Sequence, residues 1–183
     1  MISFKPGNTF PDVRVKTRDG KETSLIPRLT DVSSESDPAT WYAVFIYRGK
    51  HCPICAKYLN KLQDQLAEFN KINTKVIAVS ADSVEQLNEF YTDKIADVTF
   101  PVFAGLSIDV MQSMELFMST PRSSKETDHV FAEPSLFVVN AKREIQIVDK
   151  ANAPFVRPEI DQLLSGIEYT QQNDYPIRGN YTG

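Results

Sequence analysis

Apolar residues follow two rhythms along this chain, and the switches between them mark its elements. Residues 42–47 are an unbroken apolar run of strand length, as expected of a central strand covered on both faces, and 75–80, apolar between Lys75 and Ser80, read as another buried strand. Residues 136–139 and 145–148 form a second strand pair around a polar turn at Asn140, Lys142 and Arg143. Near the start, Val13 and Val15 alternate before Asp19-Gly20, and Thr23 and Leu25 follow it, which predicts a small hairpin. Leu59, Leu62, Leu66 and Phe69 recur at helical spacing, so a helix follows the first long strand. Ser83 and Gln86 form a capping-box pattern that opens a second helix with Leu87, Phe90, Tyr91 and Ile95 inward. Phe100 to Phe103 predicts a short extended piece, and 107–118 a helix carrying Met111, Met114 and Met118 on one side. Pro158 opens a last helix with Ile160, Leu163 and Leu164 inward, and Gly166 suits its C-cap. Residues 31–40 read as a loop and 168–183 as a polar C-terminal tail packed on the surface or on a partner.

The resulting order is hairpin, β, α, β, α, short β, α, β, β, α. Alternating units in the first half predict parallel strands sandwiched by helices, and the closing pair without a helix is antiparallel. The length suits a single domain, 1–183, able to bury a core without staples.

Net charge of −4 argues against a nucleic-acid or anionic-membrane partner. No apolar run is long enough for a membrane span. The first residues lack the charged start and apolar stretch of a signal peptide, so a cytoplasmic location is expected.

Composition matters most at cysteine. The chain has 2, Cys52 and Cys55, three positions apart where a strand gives way to a helix. In that setting Cys-x-x-Cys reads as a thioredoxin-like redox site, and a reducing cytosol would not keep a structural disulfide. The thiolate is the nucleophile, and a helix N-terminus or nearby cations lower its pKa. Cys52 falls at the helix start, with Arg48, Lys50, His51 and Lys57 nearby and Pro53 in the first turn. Cys52 is therefore the expected nucleophile and Cys55 the resolving thiol. Two bland readings compete. Both cysteines could be small core residues, or they could hold zinc, which needs four ligands when only His51 and His129 remain. The order of elements and this motif together give the expected fold, a thioredoxin-like three-layer α/β/α sandwich with an N-terminal β-hairpin and a mixed central sheet.

The stretch from Tyr47 through Arg48, Gly49 and His51 to Cys55 resembles the site of peroxiredoxin-like proteins of the AhpC/TSA group. Pro6-Gly7, Phe10-Pro11-Asp12 and Asp19-Gly20 are similar to the opening of peroxiredoxins, residues 76–83 to their second strand and loop, and Phe100-Pro101 to their Phe-Pro step. Tyr175 to Gly179 resembles the subgroup's tail. Glu133-Pro134-Ser135 resembles the segment that carries a cis-proline facing the active site across the thioredoxin superfamily. The resemblance therefore implies a cis bond at Pro134 beside Cys52. Peroxiredoxins typically carry Pro-x-x-x-Thr-x-x-Cys. Aligned on Cys55, Arg48 fills the proline slot and Cys52 the threonine slot; aligned on Cys52, those slots hold Phe45 and Gly49.

The resemblance implies a thiol-dependent antioxidant oxidoreductase that reduces peroxides or disulfides. An external thiol reductant, such as a thioredoxin or glutathione system, would reopen the disulfide, and no metal or organic cofactor is called for. The alternatives are a disulfide reductase without peroxidase activity and a redox-inactive thioredoxin-fold binding module. Arg48 could stabilise the thiolate or a substrate oxygen, or simply be solvated. His51 could tune the thiolate or fill a surface slot. Arg157 could reach the site from the start of the last helix. Asp82 reads as a helix cap. The methionines read as packing or a substrate surface, and the apolar stretch from Met114 to Met118 as a contact in a possible homodimer.

Overall fold

A computed structural model describes residues 4–27 and 39–181. Strand β3 (Trp41–Ile46) is the centre of the fold. It runs parallel to β4 (Thr74–Val79) and antiparallel to β8 (Ser135–Val139), and the five-stranded sheet has the order β5-β4-β3-β8-β9. The edges are β5 (Val102–Phe103), parallel to β4, and β9 (Ile145–Lys150), antiparallel to β8. Period-two alternation sends Ala43, Phe45, Val76 and Ala78 to one face and Tyr42, Val44, Ile46, Ile77 and Val79 to the other.

The first face is covered by α1 (Pro53–Asp64), α2 (Leu66–Lys71), α3 (Val84–Asp93) and α5 (Ile160–Gln172). The second is covered by the hairpin of β1 (Arg14–Lys16) and β2 (Glu22–Ser24), the N-terminal Phe4 and Phe10, and α4 (Ile108–Ser113). Leu59, Leu62 and Phe69 are buried as their spacing requires, though the helix breaks at Gln65 into α1 and α2. Both capping-box bonds at α3 are formed: Gln86 N–H donates to Ser83 Oγ at 3.2 Å and Ser83 N–H to Gln86 Oε1 at 2.8 Å.

Three elements differ from expectation. The helix expected over 107–118 stops at Ser113, because Glu115 turns left-handed (φ 53°) and Leu116 N–H closes on Met111 O at 3.1 Å. Past it, β6 (Met118–Ser119) pairs with β7 (Phe131–Ala132) in a ribbon that no sequence rhythm signalled. Met111 and Met114 are core, while Phe117 is exposed. The last helix runs through Gly166 to Gln172, since burying Ile167 outweighs the roughly 1 kcal/mol that an internal glycine costs. The irregular tail begins after it and touches the chain's own surface, where Tyr175 O accepts from Gln146 Nε2 at 3.1 Å. Most of the expected 31–40 loop lies outside the described residues. Among the described residues, no helix is long and apolar enough to cross a membrane.

Candidate active site

The site forms where β3 ends and α1 begins. Gly49 adopts φ +138°, and Cys52 N–H bonds back to Gly49 O at 3.1 Å, closing a tight turn. Cys52 is the N-cap of α1, extended at φ −99° and ψ 102°, with Pro53 at the first helical position. This geometry aims Cys52 Sγ at the orphan N–H of Cys55, 3.2 Å away. Both cysteines are free and buried, 2% and 0% exposed, so exposure barely separates them. Their environments do. Hydrogen bonding from Cys55, its thiol first and its N–H after, outweighs burial and lowers Cys52 to about 6, with smaller help from the Arg157 and Arg48 charges. Cys55 is pushed well up, first by burial and then by its neighbour Cys52, against the pull of Arg157. The pairing with Cys55 and the cap position thus favour the thiolate at the first sulfur.

Arg157 comes in from the segment before α5. Its Nη2 donates to Cys55 Sγ at 2.8 Å, Nη1 bonds Pro154 O, and the guanidinium lies 5.2 Å from the Tyr58 ring centre. Tyr58 OH donates to Pro158 O at 2.8 Å, which ties this segment to α1. Cys55, Tyr58, Pro134, Val156 and Arg157 help to line a cavity of about 10 Å³, room for roughly one water-sized guest. Pro134 therefore shares a cavity with Cys55. Its peptide bond is trans, against the cis isomer that the resemblance implied. The reason is local. The chain passes from β7 to β8 with two residues between, stays extended, and fixes Pro134 O with the Ala151 N–H at 2.9 Å, so no sharp reversal is needed.

Arg48 points elsewhere. It pairs with Glu126 at 3.4 Å and Glu133 at 3.5 Å and lies 4.7 Å from the Phe131 ring centre. Its field still reaches Cys52, but its side-chain hydrogen bond goes to Glu126. His51 packs on Phe131 with ring centres 4.6 Å apart, and neither ring nitrogen has a hydrogen-bond partner. Burial lowers its pKa, with Asp82 pulling the other way, so the ring is neutral near pH 7 and offers Cys52 no cation. Lys50 pairs with Glu89 on α3, away from the sulfurs.

Asp82 is not the helix cap; Ser83 is. Asp82 is fully buried under the turn, and its Oδ2 accepts the Lys50 N–H at 2.8 Å. His129 Nε2 stands 3.5 Å from its Oδ1. The sequence did carry a signal, a polar residue between a buried strand and the true cap, but nothing local pointed to His129. Among the described residues, no three His, Cys, Asp or Glu side chains converge as metal ligands.

A dithiol with one acidified sulfur at a helix start, on this mixed sheet, defines a thioredoxin-fold thiol oxidoreductase. The AhpC/TSA family model matches residues 6–148, and the chain belongs to that family. It is 25% identical over 177 residues to a 1-Cys peroxiredoxin of Medicago truncatula, covering 94% of this chain and 75% of that one. It is 26% identical over 172 residues to a peroxiredoxin of Thermotoga maritima, covering 92% and 72%. The fold is shared with a mutant peroxiredoxin 6 of Arenicola marina (TM-score 0.76, 16% identity, 94% and 76% covered) and with Enterococcus faecalis AhpC (TM-score 0.70, 15% identity, 97% and 98% covered). The protein is accordingly a thiol-dependent oxidoreductase of the peroxiredoxin kind.

Proposed function

We propose that the chain reduces peroxides through the Cys52–Cys55 dithiol. The observation that carries this reading is Cys52 Sγ held at the α1 N-terminus by the Cys55 N–H, with its thiol lowered to about 6. Near neutral pH about nine in ten Cys52 groups would be thiolate. The thiolate attacks a peroxide oxygen. An S–O bond forms, the O–O bond breaks, and the leaving alkoxide takes a proton, which leaves Cys52 as a sulfenic acid. The Cys55 thiol then attacks that sulfur, the S–S bond forms and water leaves. Two equivalents of an external thiol, such as a thioredoxin or glutathione system supplies, return the electrons. A reducing compartment such as the cytoplasm suits this cycle. Exposed Ile108 and Phe117 are where a second copy would pack.

One observation favours a second assignment of roles. The small cavity and the Arg157 contact belong to Cys55, which suits attack by Cys55 with Cys52 resolving. The test is single-turnover oxidation of the reduced protein by hydrogen peroxide, by an alkyl hydroperoxide and by insulin. Fast thiol loss with a peroxide supports the peroxidase, and reaction with insulin alone refutes it. Cys55→Ser should be trapped as a Cys52 sulfenic acid after one equivalent of oxidant. Faster trapping of Cys55 in Cys52→Ser would hand Cys55 the attack.

A further inference from the structure

Beside the turn that presents Cys52 stands a pair outside the dithiol, a buried Asp82 and a partly buried His129. Asp82 leaves β4, is 0% exposed, and places Oδ2 2.8 Å from the Lys50 N–H. Its other oxygen lies 2.5 Å from where a Cβ on Gly49 would stand, so Gly49 and the carboxyl group are in direct contact. Gly49 O in turn accepts the Cys52 N–H. On the far side stands His129, whose Nε2 is 3.5 Å from Asp82 Oδ1; both atoms are buried and neither has another hydrogen-bond partner. The ring is oriented through Nδ1, which faces Asp128 Oδ1 at 2.8 Å and Thr127 Oγ1 at 3.1 Å. Asp128 is itself held by Gln86 of α3 at 2.9 Å. A buried carboxylate needs a partner or a hydrogen-bond network, and this one has a backbone N–H on one oxygen and an aimed imidazole on the other.

We propose that Asp82 and His129 are a positioning pair that holds the Gly49–Lys50–His51 turn and so aims Cys52 Sγ at the Cys55 N–H. Protonated His129 compensates Asp82, and the carboxylate then keeps its bond to Lys50 N–H. Neutral His129, with Nδ1–H turned to Asp128, presents a lone pair to Asp82. The carboxylate loses its counter-charge and the turn loosens. Cys52 then loses part of the N–H donation that acidifies it. Asp82, and then Asp128, hold His129 above its usual 6.5 against the effect of burial. The other charged or titratable groups near the pair are Arg48, Glu126, Tyr47 and the neutral His51. Those facing Cys52 are Arg157 and Arg48, so His129 reaches the sulfur through the turn rather than by its own field.

This rests on reading Cys52 as a reactive sulfur, and it is tested without peroxide. Iodoacetamide alkylation of Cys52, located by mass spectrometry, is followed against pH in wild type, His129→Gln, Asp82→Asn and the double variant. The midpoint should rise by about half a pH unit or more in His129→Gln, about a threefold slower reaction at pH 5.5. In the Asp82→Asn background, His129→Gln should move it no further. Superimposable wild-type and His129→Gln profiles would overturn the proposal, and so would equal shifts in both backgrounds. A merely structural pair would lower the melting temperature and leave the midpoint in place. Should Asp82→Asn fail to fold, linkage provides a second measurement. The imidazole NMR titration of His129 should fall in Cys52→Ser, and an unchanged midpoint there also overturns the proposal. Expected alkylation profiles in a protein that turns over no peroxide would sink the peroxidase reading and leave this one standing.

Discussion

Replacing Gly49 with alanine should be among the costliest single-methyl additions in this chain. Gly49 sits at φ +138°, a conformation that residues with a side chain rarely adopt. Holding alanine there costs about 1–3 kcal/mol. The new Cβ would also stand 2.5 Å from Asp82 Oδ1 and 3.1 Å from His51 Nδ1. Asp82 is the part that must give, and moving it breaks the 2.8 Å bond to Lys50 N–H. A hydrogen bond to a charged group is worth about 1.5–3 kcal/mol. Together these give a loss of about 3–6 kcal/mol. For a chain of this length each kcal/mol moves Tm by about 2–4 °C, so a fall of about 6–24 °C is expected for the reduced protein, followed by far-UV circular dichroism. The two contributions separate in a double-mutant cycle. In the Asp82→Ala background the clash is gone and Gly49→Ala should cost only the backbone share, giving a coupling of about 1.5–3 kcal/mol. A loss under about 1 kcal/mol, or strict additivity with Asp82→Ala, would refute the reasoning.

The other expectations concern the cap, the sulfurs and Arg157. Ser83→Ala removes an N-cap whose reciprocal bond to Gln86 is also present, and should cost about 1 kcal/mol in urea denaturation; no measurable cost would mean that Asp82 or solvent takes over the cap. Cys52 is depressed to about 6 in the folded state and sits near 8.5 unfolded, so its stabilisation is complete above about 8.5 and is lost as pH falls through 6. Cys55 is raised, so its unfolded thiol ionises first and draws stability down above about 8.5. Relative to Cys52→Ser, reduced wild type should therefore gain stability from pH 5.5 to 8 in denaturant titrations, and a flat difference would contradict the acidity assigned to Cys52. Arg157→Met removes a cation that favours both thiolates, so stopped-flow peroxide oxidation should slow several-fold at pH 6.5 and converge with wild type by pH 9; an equal deficit at both pH values would point to lost substrate contact instead.

Much of the scaffold was legible because it is written in local rhythm. Strand β3 and residues 76–79 of β4 are buried on both faces, so those stretches are apolar without interruption. The α3 cap is legible because serine and glutamine three apart have a specific mutual geometry. What escaped depends on partners distant in sequence. Gly166 looks like a stop until Ile167 is seen to be fully buried. Residues 114–118 keep helical spacing, but Met118 is claimed by a strand pairing with Ala132. Likeness to a superfamily pattern implies a cis bond at Pro134, whereas its trans isomer follows from how β7 runs into β8. Arg157 is about a hundred residues from the thiol that it touches, so only the fold could place it.

The two sulfurs show why the spacing could be read and the surroundings could not. A cysteine at a helix N-cap can accept the N–H three residues on, as Cys52 does, so Cys-x-x-Cys by itself can separate a more acidic first sulfur from the second. That separation is a division of labour, since environments that push two neighbouring titratable groups apart assign their chemical roles. The motif leaves open how firmly the separation is held and where the oxidant enters. Here the outer sulfur depends on a turn pinned through Asp82, while the inner one keeps the guanidinium and the small cavity. Acidity and access are thus given to different sulfurs. A peroxide that entered beside Arg157 would meet Cys55 first, whereas the sulfur with the lowered pKa is Cys52. The order of attack in the two serine variants is therefore the decisive comparison.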